Sequence, residues 1–146
     1  MRISPKKLAV KMLEKYKDIS LQDILNILHV IVIDTMPLVD TNGFYQYVQR
    51  NHIIYVNCNL DPHEKNFVIA HEIGHMLMHK NQNAVFLDSR STSSLDKFEC
   101  QANTFAVEYL LPDTYLQENS EYSIYELAKI RGVPQEFVNL KQLPIF

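Results

Sequence analysis

The sequence His71-Glu72-Ile73-Gly74-His75 decides the fold and the chemistry expected of this chain. On an α-helix, residues four apart lie one above the other on the same face, so the two imidazoles could share one zinc ion. Glu72 would then flank the metal, where its carboxylate could take a proton from a bound water. These five residues therefore predict a zinc site of the kind that hydrolases use.

The residues before this string carry the signals of a helix that begins at Pro62. Asp61 is placed to cap the helix, Pro62 occupies its first position, and Glu64 stands where a capping box needs an acid. The helix should reach about His79, so the two histidines and Glu72 lie mid-helix on a stripe that faces the interior. Such polar side chains are costly to bury without partners, and a metal would supply one.

A catalytic zinc site needs a third protein ligand and an open position for water. His79 continues the four-residue spacing, but it stands about 12 Å from His71 along the helix axis, too far to bind the same ion. The longer motif with a third histidine is absent, because Met78 and Asn81 stand where its glycine and histidine would be. The third ligand is therefore expected from another element.

A second helix is predicted over residues 95–111, ending before Pro112. One of its faces carries mostly small residues: Glu99, Ala102, Asn103, Ala106 and Leu110. This face can pack closely against Gly74 and Ala70, which would bring the Glu99 carboxylate to the two histidines. Asn103, one turn later, would hydrogen-bond one of the ligands. We therefore predict that Glu99 is the third metal ligand and that Asn103 supports the site.

Together these residues resemble the ImmA/IrrE family of zinc peptidases, found in bacterial mobile elements, phages and stress regulators. The resemblance rests on the first string, continued by Met78-His79, and on a second string, E-x-[EQ]-A-N-x-F-A-x-E-x-L-x-P, from Glu99 to Pro112. It covers about residues 20–140. In the family the first glutamate of the second string completes the metal site, which maps onto Glu99.

The resemblance implies a zincin-like α+β fold, with one metallopeptidase domain over residues 1–146. Zn2+ would be held by His71, His75 and Glu99, with Glu72 as the catalytic general base. The implied role is that of an antirepressor, a protease that cleaves a helix-turn-helix repressor at one site. The alternative is a zinc-stabilised binding module that sequesters this partner without cleaving it. A structural zinc would need no base, so Glu72 favours the enzyme.

The remaining elements are N-terminal helices, a small antiparallel sheet and a helical tail. Before the metal helices we predict, in chain order, helices over 5–16 and 20–28, a strand over 30–33, and a hairpin of strands 43–48 and 52–57 joined through 49–51. A further short strand is expected over 84–87. Either this strand or the hairpin could offer an open edge to an extended substrate. The polar residues 88–94 would form a connector or a gating loop.

Residues 120–146 form the tail, in which Ala128, Gly132 and Val138 have the spacing with which a helix-turn-helix packs its two helices. That spacing specifies packing rather than DNA contact. The second helix would present Gln135, Glu136, Asn139 and Lys141. A chain of net charge −3 lacks the basic surface that phosphate binding needs. We expect a packing tail that is not an independent domain, and no direct binding of nucleic acid.

The residue that would stabilise the oxyanion is left open by the sequence. Zinc peptidases often use a tyrosine or a histidine for this purpose. The candidates are Tyr109, Tyr115, Tyr122, Tyr125 and His79.

Composition is typical of one soluble domain, because the 146 residues are 47% hydrophobic and 21% charged. No apolar run approaches the ~18 residues of a membrane span, and the first residues lack the apolar stretch of a signal peptide. Cys58 and Cys100 are too few for a disulfide framework and fit a reducing compartment. These features predict a cytoplasmic protein without a membrane partner.

Overall fold

The computed structural model describes residues 3–79 and 92–143, with side chains in the second segment from Lys97 onward. In chain order its elements are α1 (Pro5–Lys15), α2 (Leu21–Ile27), β1 (Val30–Ile33), β2 (Gly43–Val48), β3 (Asn51–Val56), α3 (Pro62–Met78), α4 (Thr92–Leu110), α5 (Asp113–Glu118), α6 (Ile124–Arg131) and a 3-10 helix (Gln135–Leu140). The α+β architecture predicted from the sequence is confirmed. The predicted strand at 84–87 and residues 88–91 of the predicted connector lie outside the described residues, whereas 92–94 begin α4.

The described sheet has three strands in the order β1-β3-β2. β2 and β3 form the predicted antiparallel hairpin, with Gly43 opposite Val56. β1 lies on the other side of β3 and runs parallel to it, with Val30 opposite His52. The prediction of an antiparallel sheet was therefore wrong for β1, and the sheet is mixed. The chain leaves β1 and enters β2 in the opposite direction, and β3 then returns between them, so β1 and β3 must be parallel.

The helix that carries the first string, α3, begins as the sequence predicts. The Glu64 backbone N–H donates to Asp61 Oδ1 at 2.9 Å, and the Asp61 N–H donates to Glu64 Oε1 at 3.2 Å. This capping box and Pro62 at the first position satisfy amide groups that a helix otherwise leaves unpaired at its start. The start of α3 is thereby fixed, and with it the phase of the two histidines.

Helices α3 and α4 pack closely at Gly74. A Cβ atom on Gly74 would stand 3.1 Å from Phe105 Cδ1 and 3.3 Å from Ala102 Cα. Ala102 and Phe105 are completely buried. The small residues predicted for this face therefore do allow close packing, and the approach places Glu99, one turn before Ala102, opposite the histidines of α3.

The tail packs against α3 and α4 through α6 and the 3-10 helix. A buried cluster joins residues of the tail to both helices: Phe67, Ala70, Ala106, Val107, Leu110, Leu111, Leu127, Ala128, Val133 and Val138. Gly132 ends α6 with a φ of 79°, and a side chain there would collide with the backbone carbonyl of His63. This close contact fixes the turn of the tail against the start of α3.

The tail differs from the sequence prediction in two respects. The segment expected as the second helix of a helix-turn-helix is a six-residue 3-10 helix. Lys141, expected on its exposed face, is buried, and its Nζ donates to Glu108 Oε1 and to Asp113 Oδ1 at 2.6 Å each. The chain turns inward there because a buried glutamate needs a cationic partner. In the described part of the chain, no helix combines the length and apolarity that crossing a membrane requires.

Candidate metal centre

The three residues predicted as ligands converge between α3 and α4. Glu99 Oε2 lies 3.1 Å from His71 Nε2, and Glu99 Oε1 lies 2.9 Å from His75 Nε2. The candidate ligand atoms of these residues are all within 4.8 Å of one another. Two imidazole nitrogens and one carboxylate form a donor set that suits catalytic zinc and leaves a position for water. The residues present therefore fit a divalent metal.

The outer nitrogen of His71 is held by α4. Its Nδ1 lies 2.7 Å from Asn103 Oδ1. Because an amide oxygen can only accept a hydrogen bond, Nδ1 donates, and Nε2 is the nitrogen directed at Glu99. A hydrogen bond of this kind fixes both the orientation and the tautomer of a metal-binding imidazole.

His79 supports His75 in the same way. The Nδ1 atoms of the two rings are 3.0 Å apart, and His79 Nε2 lies 2.9 Å from Gln101 Oε1. Since the amide oxygen of Gln101 accepts, His79 Nε2 donates, and His79 Nδ1 is left to accept from His75. His79 is buried, and its ring lies over Phe98 with the centroids 4.3 Å apart. The sequence excluded His79 as a ligand of the same ion but did not foresee its hydrogen bond to His75, although the four-residue spacing was a signal for it.

Glu72 lies beside the candidate ligands. Its side chain is buried, and Oε1 is 3.9 Å from His71 Nε2. Burial raises the pKa of the Glu72 carboxyl above its ordinary value, although positive charge on His71 and His75 opposes this effect. The carboxylate is therefore close to the metal position without a hydrogen bond to either imidazole.

Glu99 and His71 shift each other's pKa in opposite directions. Burial alone would raise the pKa of Glu99, but its hydrogen bonds with His71 and His75 outweigh burial and hold the pKa well below its usual range. Burial alone would lower the pKa of His71, but its contact with Glu99 and the charge of Glu72 raise it. Glu99 therefore stays ionised at neutral pH, as a carboxylate ligand of a cation must.

A cavity of about 450 Å³ opens over this centre. Its lining comes from the start of β2, from α3, from α4 and from the tail: Thr41, Asn42, Gly43, Phe44, Tyr45, Phe67, Val68, His71, Glu72, His75, His79, Phe98, Glu99, Asn103, Pro134, Glu136 and Phe137. The hairpin was predicted as a candidate substrate edge, but no local pattern indicated the tail residues, because they reach the cavity through contacts distant along the chain. The cavity has the size and aromatic lining of a binding cleft.

Of the five candidates for oxyanion stabilisation, only His79 lines this cavity. The rings of Tyr109 and Tyr115 pack into the cluster around α4 and α6, and Tyr122 and Tyr125 are exposed. Tyr45 also lines the cavity, but its hydroxyl contacts His52 Nδ1 at 2.6 Å. Burial raises the pKa of Tyr45 to about 12.

A comparison with known proteins places the chain in a family. The IrrE N-terminal-like domain family matches residues 29–142. The chain belongs to this family, and the resemblance to ImmA/IrrE proteins is confirmed. It is a family of metallopeptidases, which implies a metal cofactor.

Two relatives and one solved structure are similar over much of the chain. Uncharacterized immunity region protein 2 of Bacillus phage phi105 is 38% identical over 135 residues, which are 91% of this chain and 85% of that protein. Metallopeptidase ImmA of Bacillus subtilis (strain 168) is 35% identical over 106 residues, which are 68% of this chain and 62% of that protein. A Mycobacterium tuberculosis transcriptional regulator shares the fold at 20% identity with a TM-score of 0.64, over 93% of this chain and 45% of that chain.

Proposed function

We propose that this protein is a zinc-dependent, site-specific protease in which His71, His75 and Glu99 hold Zn2+. The observation that carries this proposal is the convergence of the three candidate ligands beside a buried fourth group, Glu72, whose carboxylate lies 3.9 Å from His71 Nε2. A zinc that serves only the fold would be enclosed by four protein ligands. Here the three candidate ligands and the Glu72 carboxylate line an open cavity, as expected of a catalytic site.

The protein groups around the centre have distinct roles in peptide hydrolysis. A bound zinc lowers the pKa of a coordinated water and polarises a carbonyl oxygen. Glu72 accepts the proton from the attacking water and passes it to the leaving amine. Asn103 and His79 keep the two imidazoles in orientation through their hydrogen bonds, at 2.7 and 3.0 Å.

The substrate segment binds along β2. This strand is at one edge of the described sheet, and its first three residues, 43–45, line the cavity together with the two residues before it. Successive side chains of a strand point to opposite faces, so the fact that Phe44 and Tyr45 both line the cavity indicates that the edge of the strand, rather than one face, borders it. An extended peptide that pairs with this edge would run past the metal centre. Glycine at position 43 allows β2 to lie close to α3, because a Cβ atom there would collide with Val68 and lie 2.6 Å from the Tyr55 carbonyl oxygen.

The substrate that fits this geometry is a repressor with a flexible or partly unfolded segment. Folded proteins seldom expose an extended stretch that can add to a sheet edge, so cleavage is restricted to a few targets. One relative is named for a phage immunity region and another is named a metallopeptidase. Both names are compatible with an antirepressor that cleaves a helix-turn-helix repressor. In this proposal residues 1–146 work as one domain, to whose cavity the tail contributes Pro134, Glu136 and Phe137.

The test is to incubate the zinc-loaded protein with the repressor encoded beside its gene. We expect two discrete fragments, and none when a chelator is present. Glu72→Gln should stay folded and zinc-loaded while turnover falls about 10²- to 10⁴-fold, because an amide keeps the shape but cannot accept the proton. If folded, zinc-loaded Glu72→Gln relieved repression in cells as well as the parent does, sequestration rather than proteolysis would be the function.

A further inference from the structure

The tail supplies one wall of the cavity. Pro134, Glu136 and Phe137 line it together with the residues of the metal centre. The Phe137 ring is stacked on the Phe67 ring, with the centroids 5.7 Å apart and the planes at 9°. The Phe67 ring in turn lies 6.4 Å from the ring of His71. The buried Phe67 ring therefore links the metal centre to Phe137, whose partly exposed ring faces the cavity.

This wall is fixed in place by the packing of the tail. Val133 and Val138, on either side of the lining residues, are buried. Arg131 Nη1 donates to the Leu110 carbonyl at 2.9 Å, which ties the end of α6 to the end of α4. A rigid apolar surface can select a side chain by shape, because its own side chains lose little freedom when a ligand binds.

Glu136 places a negative charge at the rim of this wall. Its side chain is exposed, and it makes no hydrogen bond or ion pair with any residue in the described ranges 3–79 and 97–143. Among these residues, the cavity is lined by three glutamates and by no lysine or arginine. Glu72 and Glu99 belong to the metal centre, so Glu136 is the carboxylate available to a bound peptide.

We propose that Phe137, held by stacking on the buried Phe67, and Glu136 form a specificity subsite for a peptide segment with a large apolar side chain and a basic side chain nearby. This inference rests on the proposed protease function and names what its substrate must carry. In an extended peptide, side chains two positions apart lie on the same face, about 7 Å from each other. The apolar side chain packs against the partly exposed ring of Phe137, and the lysine or arginine two positions away reaches Glu136.

The size of the charge effect follows from the exposure of Glu136. An ion pair in contact with solvent contributes modestly to binding, which corresponds to a preference of about two- to five-fold for the basic peptide. Such a pair is screened by salt, so the preference should shrink at about 1 M salt, where the screening length is ~3 Å. A residue with a purely structural role would show no such dependence on peptide charge and salt.

Binding is measured on zinc-loaded Glu72→Gln protein, so that cleavage cannot obscure it. The probes are fluorescent ten-residue peptides with a central Phe and with Lys, Gln or Glu at the positions two residues before and after it. We expect the Lys peptide to bind tightest and the Glu peptide weakest. Adding Glu136→Gln should abolish this ranking, and adding Glu136→Lys should reverse it. Adding Glu121→Gln, an exposed acid outside the cavity lining, should preserve it.

The aromatic part is tested with the same probes. Replacing the central Phe of the peptide by Ala should weaken binding about ten-fold. Phe137→Ala should remove most of this difference, whereas Phe137→Leu, which keeps an apolar side chain, should retain part of it. Circular dichroism confirms that each variant is folded.

Two results would overturn the subsite: equal binding of the Lys, Gln and Glu peptides to folded, zinc-loaded protein, or binding of none of them. Cleavage of the repressor by the parent protein is assayed separately. If the parent never cleaves but Glu136 still ranks the peptides, the proposed protease function fails and the subsite remains. If the parent cleaves and Glu136→Gln changes neither binding nor cleavage preference, the subsite fails and the protease remains.

Discussion

The two glutamates of the second string, Glu99 and Glu108, lie on the same helix, α4, in opposite surroundings. Glu99 has half of its side chain exposed and faces two imidazoles, whereas Glu108 is 1% exposed and contacts Lys141 Nζ at 2.6 Å. An imidazole can be neutral and offer a lone pair to a metal, but the ammonium group of lysine carries only donors and itself occupies the position of a cation. The partners of a glutamate, rather than the glutamate itself, therefore decide between a metal site and a structural ion pair.

Removing the buried carboxylate gives the largest expected effect on stability. Glu108 also accepts from the Gln142 backbone N–H at 2.8 Å, so Glu108→Gln disturbs both Lys141 and the chain that follows it. We expect the free energy of unfolding to fall by about 3 kcal/mol, because a buried ammonium loses one of its two charged partners. Urea denaturation with a chelator present measures this without a contribution from metal binding. A loss of zinc in folded Glu108→Gln, without loss of stability, would erase the distinction between the two glutamates.

The next largest effect on stability is expected from a larger side chain at Gly74, where α3 and α4 pack closely. Gly74→Val would force α3 away from Ala102 and Phe105, which stand 3.1 to 3.3 Å from the position of a new Cβ. We expect about 2 kcal/mol of destabilisation from this overpacking, together with weaker zinc binding, because the histidines move away from Glu99. Thermal unfolding and zinc titration measure the two effects. Ala70→Val, on the same buried face one turn earlier, is a control for added volume. If Ala70→Val weakened zinc binding as much as Gly74→Val does, the close packing at Gly74 would have no specific effect on the metal centre.

The smallest effect on stability is expected at Asp113, a partly exposed residue that contacts Lys141 of the buried Lys141–Glu108 pair. Burial alone would raise the pKa of Asp113, but hydrogen bonds from Lys141 and Lys6 outweigh burial and lower it below its ordinary value. Because the pKa is lower in the folded state, ionised Asp113 adds stability above the ordinary value of 3.8, and this stability is lost as the pH falls through the folded pKa.

Asp113→Asn should therefore reduce the free energy of unfolding at pH 7 by less than about 1 kcal/mol, since solvent screens the partly exposed pair. The difference from the parent should shrink as the pH falls below 3.8 and vanish once the Asp113 carboxyl is protonated in the folded state as well. Denaturation curves at several pH values measure this, with Glu121→Gln as the control for an exposed acid. A constant difference down to the lowest pH would show that the charge of Asp113 is not the cause.

The sequence predicted those parts of the molecule that depend on local geometry. Helical spacing alone places His71, Glu72 and His75 close together. Glu99 was predicted because a face of small residues shows where a second helix can pack against the first. The parallel direction of β1 was not predicted, because a run of β-branched residues identifies a strand without fixing the direction of its neighbour. Lys141 was placed on the surface by the helical pattern, and only the fold shows Glu108 beside it. The cavity wall from Glu136 and Phe137 depends on contacts with α3 that no local pattern records.

The most direct test of the metal centre is the zinc content of Glu99→Gln beside that of Glu108→Gln. Both variants remove one carboxylate from α4 and keep its shape, so the comparison tests which of the two carboxylates binds the metal. Elemental analysis of folded, purified protein should give about one zinc per chain for the parent and for Glu108→Gln. Glu99→Gln should lose most of its zinc and show an affinity at least about a hundred-fold weaker in competition with a chelator. Undiminished zinc in folded Glu99→Gln would contradict the assignment of Glu99 as the third ligand.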